Sequence, residues 1–420
     1  MTTGCALLAD LKNGMCNEAM NLIFRPADIL LPRNVDMRRW SVIACDQFTS
    51  DADYWAAVEK DVGNVPSTLR LMLPEFYLGK CDEAAAAAEI QLTMRRYLDN
   101  GVFETVAHSF VYLERTLPGG AVRRGLIGMI DLEAYDYSTD ATTPIRATEG
   151  TVEERLPPRV KVRSAAPLEM PHIMVFLNDP DDHIMQQAAS AADVDLYDFD
   201  LLGGGGHVRG KCICGAAADA LAVKISEGGS AVKLAIGDGN HSLAAARKCW
   251  LEKKRQLTPE QAASDPARFA LVELVNIHDT AVTFAPIHRV LFDTDPTAWF
   301  ETAVEQLATD GEGRDVVLLA GGQQKTIRAK GASIGKVIGN AEQFCQAYLA
   351  AHGGYIDYIH GDTETLELAQ RNGCCGILLP QMEKGELFSS VERSGPFPKK
   401  SFSIGLGRDK RYYLECRKIQ

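Results

Sequence analysis

The chain has 420 residues, of which 46% are hydrophobic and 24% charged, and a formal net charge of −12. This is globular composition, in a chain long enough to bury a core without disulfide support. The acidic balance argues against a general nucleic-acid binder but leaves room for a local basic pocket that takes a small phosphate ligand. No stretch is long and apolar enough to span a bilayer. The N-terminal apolar stretch is too short for a signal peptide, and Asp10 and Glu18 follow closely. A cytoplasmic protein with no membrane attachment is therefore expected. Its 11 cysteines have no framework spacing and read mostly as small buried residues.

In chain order, residues 1–22 read as an extension, and order begins at Phe24-Arg-Pro26. Trp40-Ser-Val-Ile-Ala-Cys45 predicts a short buried strand running into the polar loop Asp46–Ser50. Ser50 is placed to cap a helix carrying Tyr54, Trp55 and Val58. Residues 82–98, with their alanine run, predict a helix. Ser109–Arg115, a Pro-Gly-Gly turn and Arg123–Asp131 predict a hairpin. A charge-rich segment over 144–163 is followed by strands at 170–177 and 233–237 and by a helix at 242–253. Phe269–Ile277 is a further strand. The last third alternates helix and strand signals and closes in an expected hairpin of 401–405 with 412–415. Strands with irregularly inserted helices favour an α+β fold with mixed or antiparallel sheets over a doubly wound one. The expected divisions are a 1–22 extension, a 23–290 region carrying the main turn motif, and a 291–420 region closing a cleft.

The sharpest local signal is Ala235-Ile-Gly-Asp-Gly-Asn-His-Ser242, a strand running through a glycine-rich turn into a helix. Gly237 and Gly239 allow the turn. The unpaired N–H groups of Gly239, Asn240, His241 and Ser242 and the helix dipole would favour an anion. Asp238 and His241 stand beside that site as a candidate base and a candidate donor. The alternative is a turn whose polar residues only cap the helix.

Four further clusters are candidates. His288 and Arg289 could contact phosphate or carboxylate, or belong to a surface loop. Asp46 follows the expected strand at 40–45. Arg146, Glu149 and Arg159 lie in the charged segment, which charge runs alone would make a solvated face. Lys399 and Lys400 could reach an anion or merely solubilise a loop. No metal site belonging to the protein itself is evident, because Cys212-Ile-Cys214 lacks a second pair.

In their order along the chain, Phe24-Arg-Pro26, Cys45-Asp-Gln-Phe48, Arg146-Ala-Thr-Glu149 with Arg159, Gly237-Asp-Gly-Asn-His241, Pro286-Ile-His-Arg289 and Pro398-Lys-Lys-Ser401 resemble the domain of unknown function 1015 family over roughly residues 24–415. The sequence departs from that pattern at Asn240, where the first histidine of a DGHHR-type signature is expected, and at Ser242, where the arginine is expected. The turn more distantly resembles the ParB/sulfiredoxin superfamily and its kinases of free L-serine.

That resemblance implies a nucleotide-binding core and phosphoryl transfer to a hydroxyl of serine or a similar metabolite. Asp238 would be base or hydroxyl orienter, and His241 with the 239–242 amides would hold phosphoryl oxygens. Asp46 and Glu149 would meet Mg²⁺ arriving with ATP or ADP, or a substrate ammonium. A nucleotide-binding switch without turnover and a phosphate-ester hydrolase are the alternatives.

Overall fold

The computed structural model describes residues 22–227, 230–405 and 407–420. The expected N-terminal extension, apart from Leu22, lies outside the described residues. The α+β class is what folds. Among the described residues the larger sheet has eleven strands. Its main path runs Tyr135–Asp136, Ile145–Ala147, Leu234–Asp238, Met174–Leu177, Phe269–Asn276, Val122–Asp131, Phe103–Thr116, His207–Cys214 and Val194–Asp200. Three neighbouring pairs in it are parallel, and the rest are antiparallel. The long hairpin of Phe103–Thr116 with Val122–Asp131 forms where the sequence predicts it, closed by the Leu117 N–H bonding to the Ala121 carbonyl at 2.8 Å.

The smaller sheet is antiparallel, in the order Gln323–Lys330, Gly313–Ala320, Cys375–Leu378, Phe284–Phe292 and Tyr355–His360. Phe402–Ile404 pairs with the first residues of Phe284–Phe292. A continuous apolar core runs from Phe176, Ala235 and Val275 of the larger sheet to Leu291, Trp299 and Phe344 around the smaller one. The expected division at 290/291 falls inside strand Phe284–Phe292.

Local chemistry explains where elements start. Helix Glu83–Asp99 begins at Asp82, whose carboxylate accepts from the Ala84 and Ala85 N–H groups. Helix Ala52–Val62 is capped by Asp51, not by Ser50.

Two sequence expectations are corrected. Residues 40–45 do not form a strand. Helix Met37–Trp40 ends there, and the chain continues extended with a single bridge, Ile43 to Arg411. The tail does not fold back as a hairpin on itself either. After Phe402–Ile404 has joined the smaller sheet, Arg411 and Cys416 bridge to Ile43 and Leu30, and Arg417–Lys418 pairs with Leu168–Glu169. In both cases the segments take distant partners, which local pattern cannot specify.

Candidate active site

The site is built on strand Leu234–Asp238, whose Leu234, Ala235 and Ile236 are wholly buried between two neighbouring strands. Ile145–Ala147 lies parallel to it, with Ala147 opposite Ile236. Parallel strands end on the same side, so the residues just beyond, Glu149 and Asp238, emerge together. The Thr148 hydroxyl fixes this register by donating to the Ile236 carbonyl at 2.6 Å.

The two glycines act differently. Gly239 has φ +82°, in the left-handed region, and an added Cβ would lie 2.9 Å from the Ile173 side chain. Gly237 needs no such backbone. There, a Cβ would lie 2.5 Å from the Phe176 ring. One glycine makes the turn, and the other makes room for core packing.

Behind Gly239, helix Asn240–Lys254 starts with no side-chain cap, and its first amides lack intrahelical partners. The Asn240 side chain is buried and its Oδ1 has no hydrogen-bond partner. This helix start forms one wall of a cleft of about 650 Å³.

Three other segments close around it. The 148–150 stretch is clamped by Phe397: the Phe397 N–H donates to the Thr148 carbonyl at 2.7 Å, and the Gly150 N–H to the Phe397 carbonyl at 3.1 Å. This delivers Lys399 and Lys400 to the cleft, both exposed. Lys400 sits at φ +60° and donates its N–H to Glu149 Oε1 at 3.2 Å. The 42–46 stretch is tied to the tail by the Ala44 N–H to the Lys410 carbonyl at 2.9 Å and the Tyr412 N–H to the Val42 carbonyl at 3.0 Å. Lys410 is thereby placed between two carboxylates, with Nζ 2.6 Å from Asp238 Oδ2 and 3.6 Å from Asp46 Oδ2. Arg155 and Arg159 complete the rim, and Arg159 pairs with Glu75.

The electrostatics follow from this pairing. Burial alone would raise the Asp46 pKa, but the Lys410 ammonium and other neighbours outweigh it and hold the carboxyl below its ordinary value. Lys410 is raised despite burial, because Asp238 and Asp46 favour its charge. Glu149 is pushed up, first by burial and then by the charge of Asp238. His241 is pushed down to about 4 by burial and by the charges of Arg159 and Arg155. It is thus a neutral imidazole near pH 7. Its Nε2 accepts the Val152 N–H at 3.2 Å, so it ties the 149–152 loop to the helix start. Asp238 Oδ1 also accepts the Gly239 N–H at 2.8 Å. Among the described residues, Lys399, Lys400 and Arg155 stand within ion-pair distance of no carboxylate. The cleft therefore presents cationic side chains outside any ion pair, with the Glu149 carboxylate among them, beside an uncapped helix start.

The cleft collects Asp46, Glu149, Arg159, Gly237, Asp238, Gly239, Asn240, His241, Ser242, Lys399 and Lys400 from the sequence candidates. Three candidates stand elsewhere. Arg146 donates to the Thr143 carbonyl at 2.9 Å within its own turn. His288 is buried, paired with Asp362 at 2.8 Å, and accepts the Leu379 N–H at 3.0 Å. Arg289 is wholly buried, pairs with Glu342 at 3.0 Å, and donates to the Lys400 carbonyl at 2.8 Å. It thus braces the lysine loop from behind.

Sequence reading missed Lys410 and His172. Lys410 lies in a Gly-Arg-Asp-Lys-Arg run whose only signal was charge. His172, which bonds the Ser242 hydroxyl at 2.9 Å, carries no motif at all.

No group of three or more His, Cys, Asp or Glu among the described residues is arranged to hold a metal ion. Asp46 and Asp238 are already bridged by an ammonium, so there is no ready-made Mg²⁺ cage. A Mg²⁺ carried on phosphates needs only one or two carboxylates, and Glu149 is the cleft acid that makes no ion pair within 4 Å among the described residues, although the charges of Lys400 and Lys410 act on it.

Fold and site together define an α+β protein with a strand–glycine–helix turn at the mouth of a polar cleft. The family "Protein of unknown function (DUF1015)" matches residues 26–418, and the chain belongs to it. No curated protein matches the sequence. Solved structures with partial similarity include a free serine kinase variant in complex with ADP (9% identity, TM-score 0.38, covering 68% of this chain and 91% of that one). Others are SbnI with C-terminal truncation from Staphylococcus aureus (10%, 0.34, 67% and 82%) and a conserved hypothetical protein from Pyrococcus furiosus (11%, 0.33, 66% and 90%). Among the described residues no helix is long and apolar enough to cross a membrane.

Proposed function

We propose that the protein is a small-molecule phosphotransferase that moves a phosphoryl group from a nucleotide to a hydroxyl. The observation that carries this reading is the uncapped start of helix Asn240–Lys254 opening on a cleft whose other walls supply Lys399, Lys400 and Arg155 opposite Asp238 and Glu149. Phosphoryl transfer needs positioning and charge neutralisation more than covalent chemistry, and these residue types supply both.

In this reading the amides of 240–242 and the two lysines hold the donor phosphates. Asp238, fixed by Lys410 and the Gly239 N–H, accepts a hydrogen bond from the acceptor hydroxyl and aims its oxygen. Glu149, whose pKa is raised, takes the proton. The acceptor oxygen bonds to the terminal phosphorus as the bond from that phosphorus to the leaving phosphate breaks, and the hydroxyl proton passes to the Glu149 carboxylate. A Mg²⁺ arriving with the nucleotide would add neutralisation of the phosphate charge, held by the phosphates and water, since Glu149 serves here as the base. His241 keeps the 149–152 loop against the helix. The net charge of −12 and an enclosed cleft suit a small molecule better than a nucleic acid.

The test is incubation with ATP or ADP, Mg²⁺ and a pool of hydroxyl-bearing metabolites including serine, with phosphate esters read by mass. The reading expects an ester that Glu149→Gln abolishes while the protein stays folded. The absence of both product and nucleotide-dependent thermal stabilisation would rule it out. Stabilisation without any product would make the protein a nucleotide-binding switch, and phosphate release from added esters would make it a hydrolase.

A further inference from the structure

Beside the cleft lies a second cavity of about 140 Å³, which shares Glu75, Arg159 and Ser242 with it. The Arg159–Glu75 pair and Ser242 thus line both spaces. Its walls are mostly apolar: Leu71, Met72, Met94, Val162, Met170 and Ala245 line it, beside Cys45, His172 and Tyr412. The charged groups that line it pair with one another, Glu169 with Arg163 and Arg417 and Arg159 with Glu75, while the buried Nδ1 of His172 has no hydrogen-bond partner. A space of about this size takes up a benzene-sized guest. Two of the walls are methionines, which adapt to irregular guests.

We propose that this cavity is the specificity pocket for the acceptor, which is an alcohol carrying an apolar group of about six carbons rather than a small polar hydroxy compound. The assignment rests on the phosphotransferase reading above. The apolar group passes the Arg159–Glu75 pair and displaces no satisfied polar atom, while the hydroxyl remains in the polar cleft beside Asp238 and Glu149.

The experiment measures binding and turnover of 1-propanol, 1-butanol, 1-hexanol and 1-octanol in the presence of ATP and Mg²⁺. Binding is read by ligand-observed NMR and esters by mass. Affinity should rise about fourfold with each methylene to hexanol and then level off. Two cavity-filling variants, Ala245→Leu and Met94→Phe, provide independent checks, and each should flatten the series while ATP still binds. Affinity that ignores chain length in the unaltered protein overturns the proposal. So does a series that survives both variants, or variants that lose ATP and keep the series; the last result would give the cavity to the nucleotide base. If the series is steep but no ester forms, the pocket stands and the phosphotransferase reading falls. If esters form without a series, the reverse holds.

Discussion

At the residue scale the decisive group is Lys410, because it reconciles two carboxylates that would otherwise repel. Asp46 titrates below its ordinary value and Lys410 above its own. The Asp46 contribution to stability is present above its unfolded pKa and fades as pH falls through the lower folded value. The Lys410 contribution is present below its unfolded pKa and fades as pH rises through the higher folded one. Lys410→Met should therefore cost about 1–3 kcal/mol near pH 7 and flatten the acid limb of the stability profile. Urea unfolding at several pH values checks this. His241 offers a second measurement. Its ring should titrate near 4 by NMR, so no break in an activity profile between pH 6 and 7 belongs to it. His241→Gln, which keeps an acceptor for the Val152 N–H, should retain most activity, whereas His241→Ala should lose it through the slackened 149–152 loop.

At the element scale the strand–turn–helix unit of 234–254 was legible in the sequence because everything it needs is local. It has a short apolar run, a glycine for a left-handed turn, and an alanine-rich helix behind it. Gly239→Ala should destabilise by about 1–3 kcal/mol, from the backbone conformation and the Ile173 contact together, and should remove nucleotide-dependent stabilisation. A thermal shift assay with ATP separates the two effects. The clusters around Asp46, Glu149 and Lys399–Lys400 were readable as a polar loop, a charge-rich segment and a pair of lysines, and they do meet at the cleft.

His288 and Arg289 were readable only as a basic pair. What decides their fate is the burial of strand Phe284–Phe292 and the presence of Asp362 and Glu342, brought from distant helices. The 40–45 segment misled for a related reason. Its apolar run looks like a strand, but its partner is a single residue of the tail. Lys410 and His172 could not be found from spacing, because the side chains they serve lie far away in sequence.

At the scale of the whole molecule, a buried polar layer lies between the tail and the larger sheet. Arg123 holds Glu273 and the Tyr413 hydroxyl, and Tyr197 donates to Glu415. Glu415 is wholly buried, and its pKa is pushed up to about 7, chiefly by burial and in part by the charge of Glu273. The folded state thus keeps a proton that the unfolded chain releases at about 4.3. The resulting penalty is absent below that pH, grows as pH rises, and is complete above about 7, where it reaches about 4 kcal/mol. Glu415→Gln should be more stable than the parent at pH 8 and show a shallower fall between pH 5 and 7, as read by the denaturant midpoint.

The tail has one more consequence, in time rather than in space. Phe397 clamps the loop of Glu149, Lys399 and Lys400 form the basic wall, Lys410 settles the paired acids, and Cys416 bridges back to Leu30. During translation, which proceeds from the N-terminus, the cleft is incomplete until this stretch has emerged and crossed both sheets. A nascent chain stalled after residue 394 should therefore ignore nucleotide however much of its framework has already condensed, so newly made protein gains its chemistry in one late step.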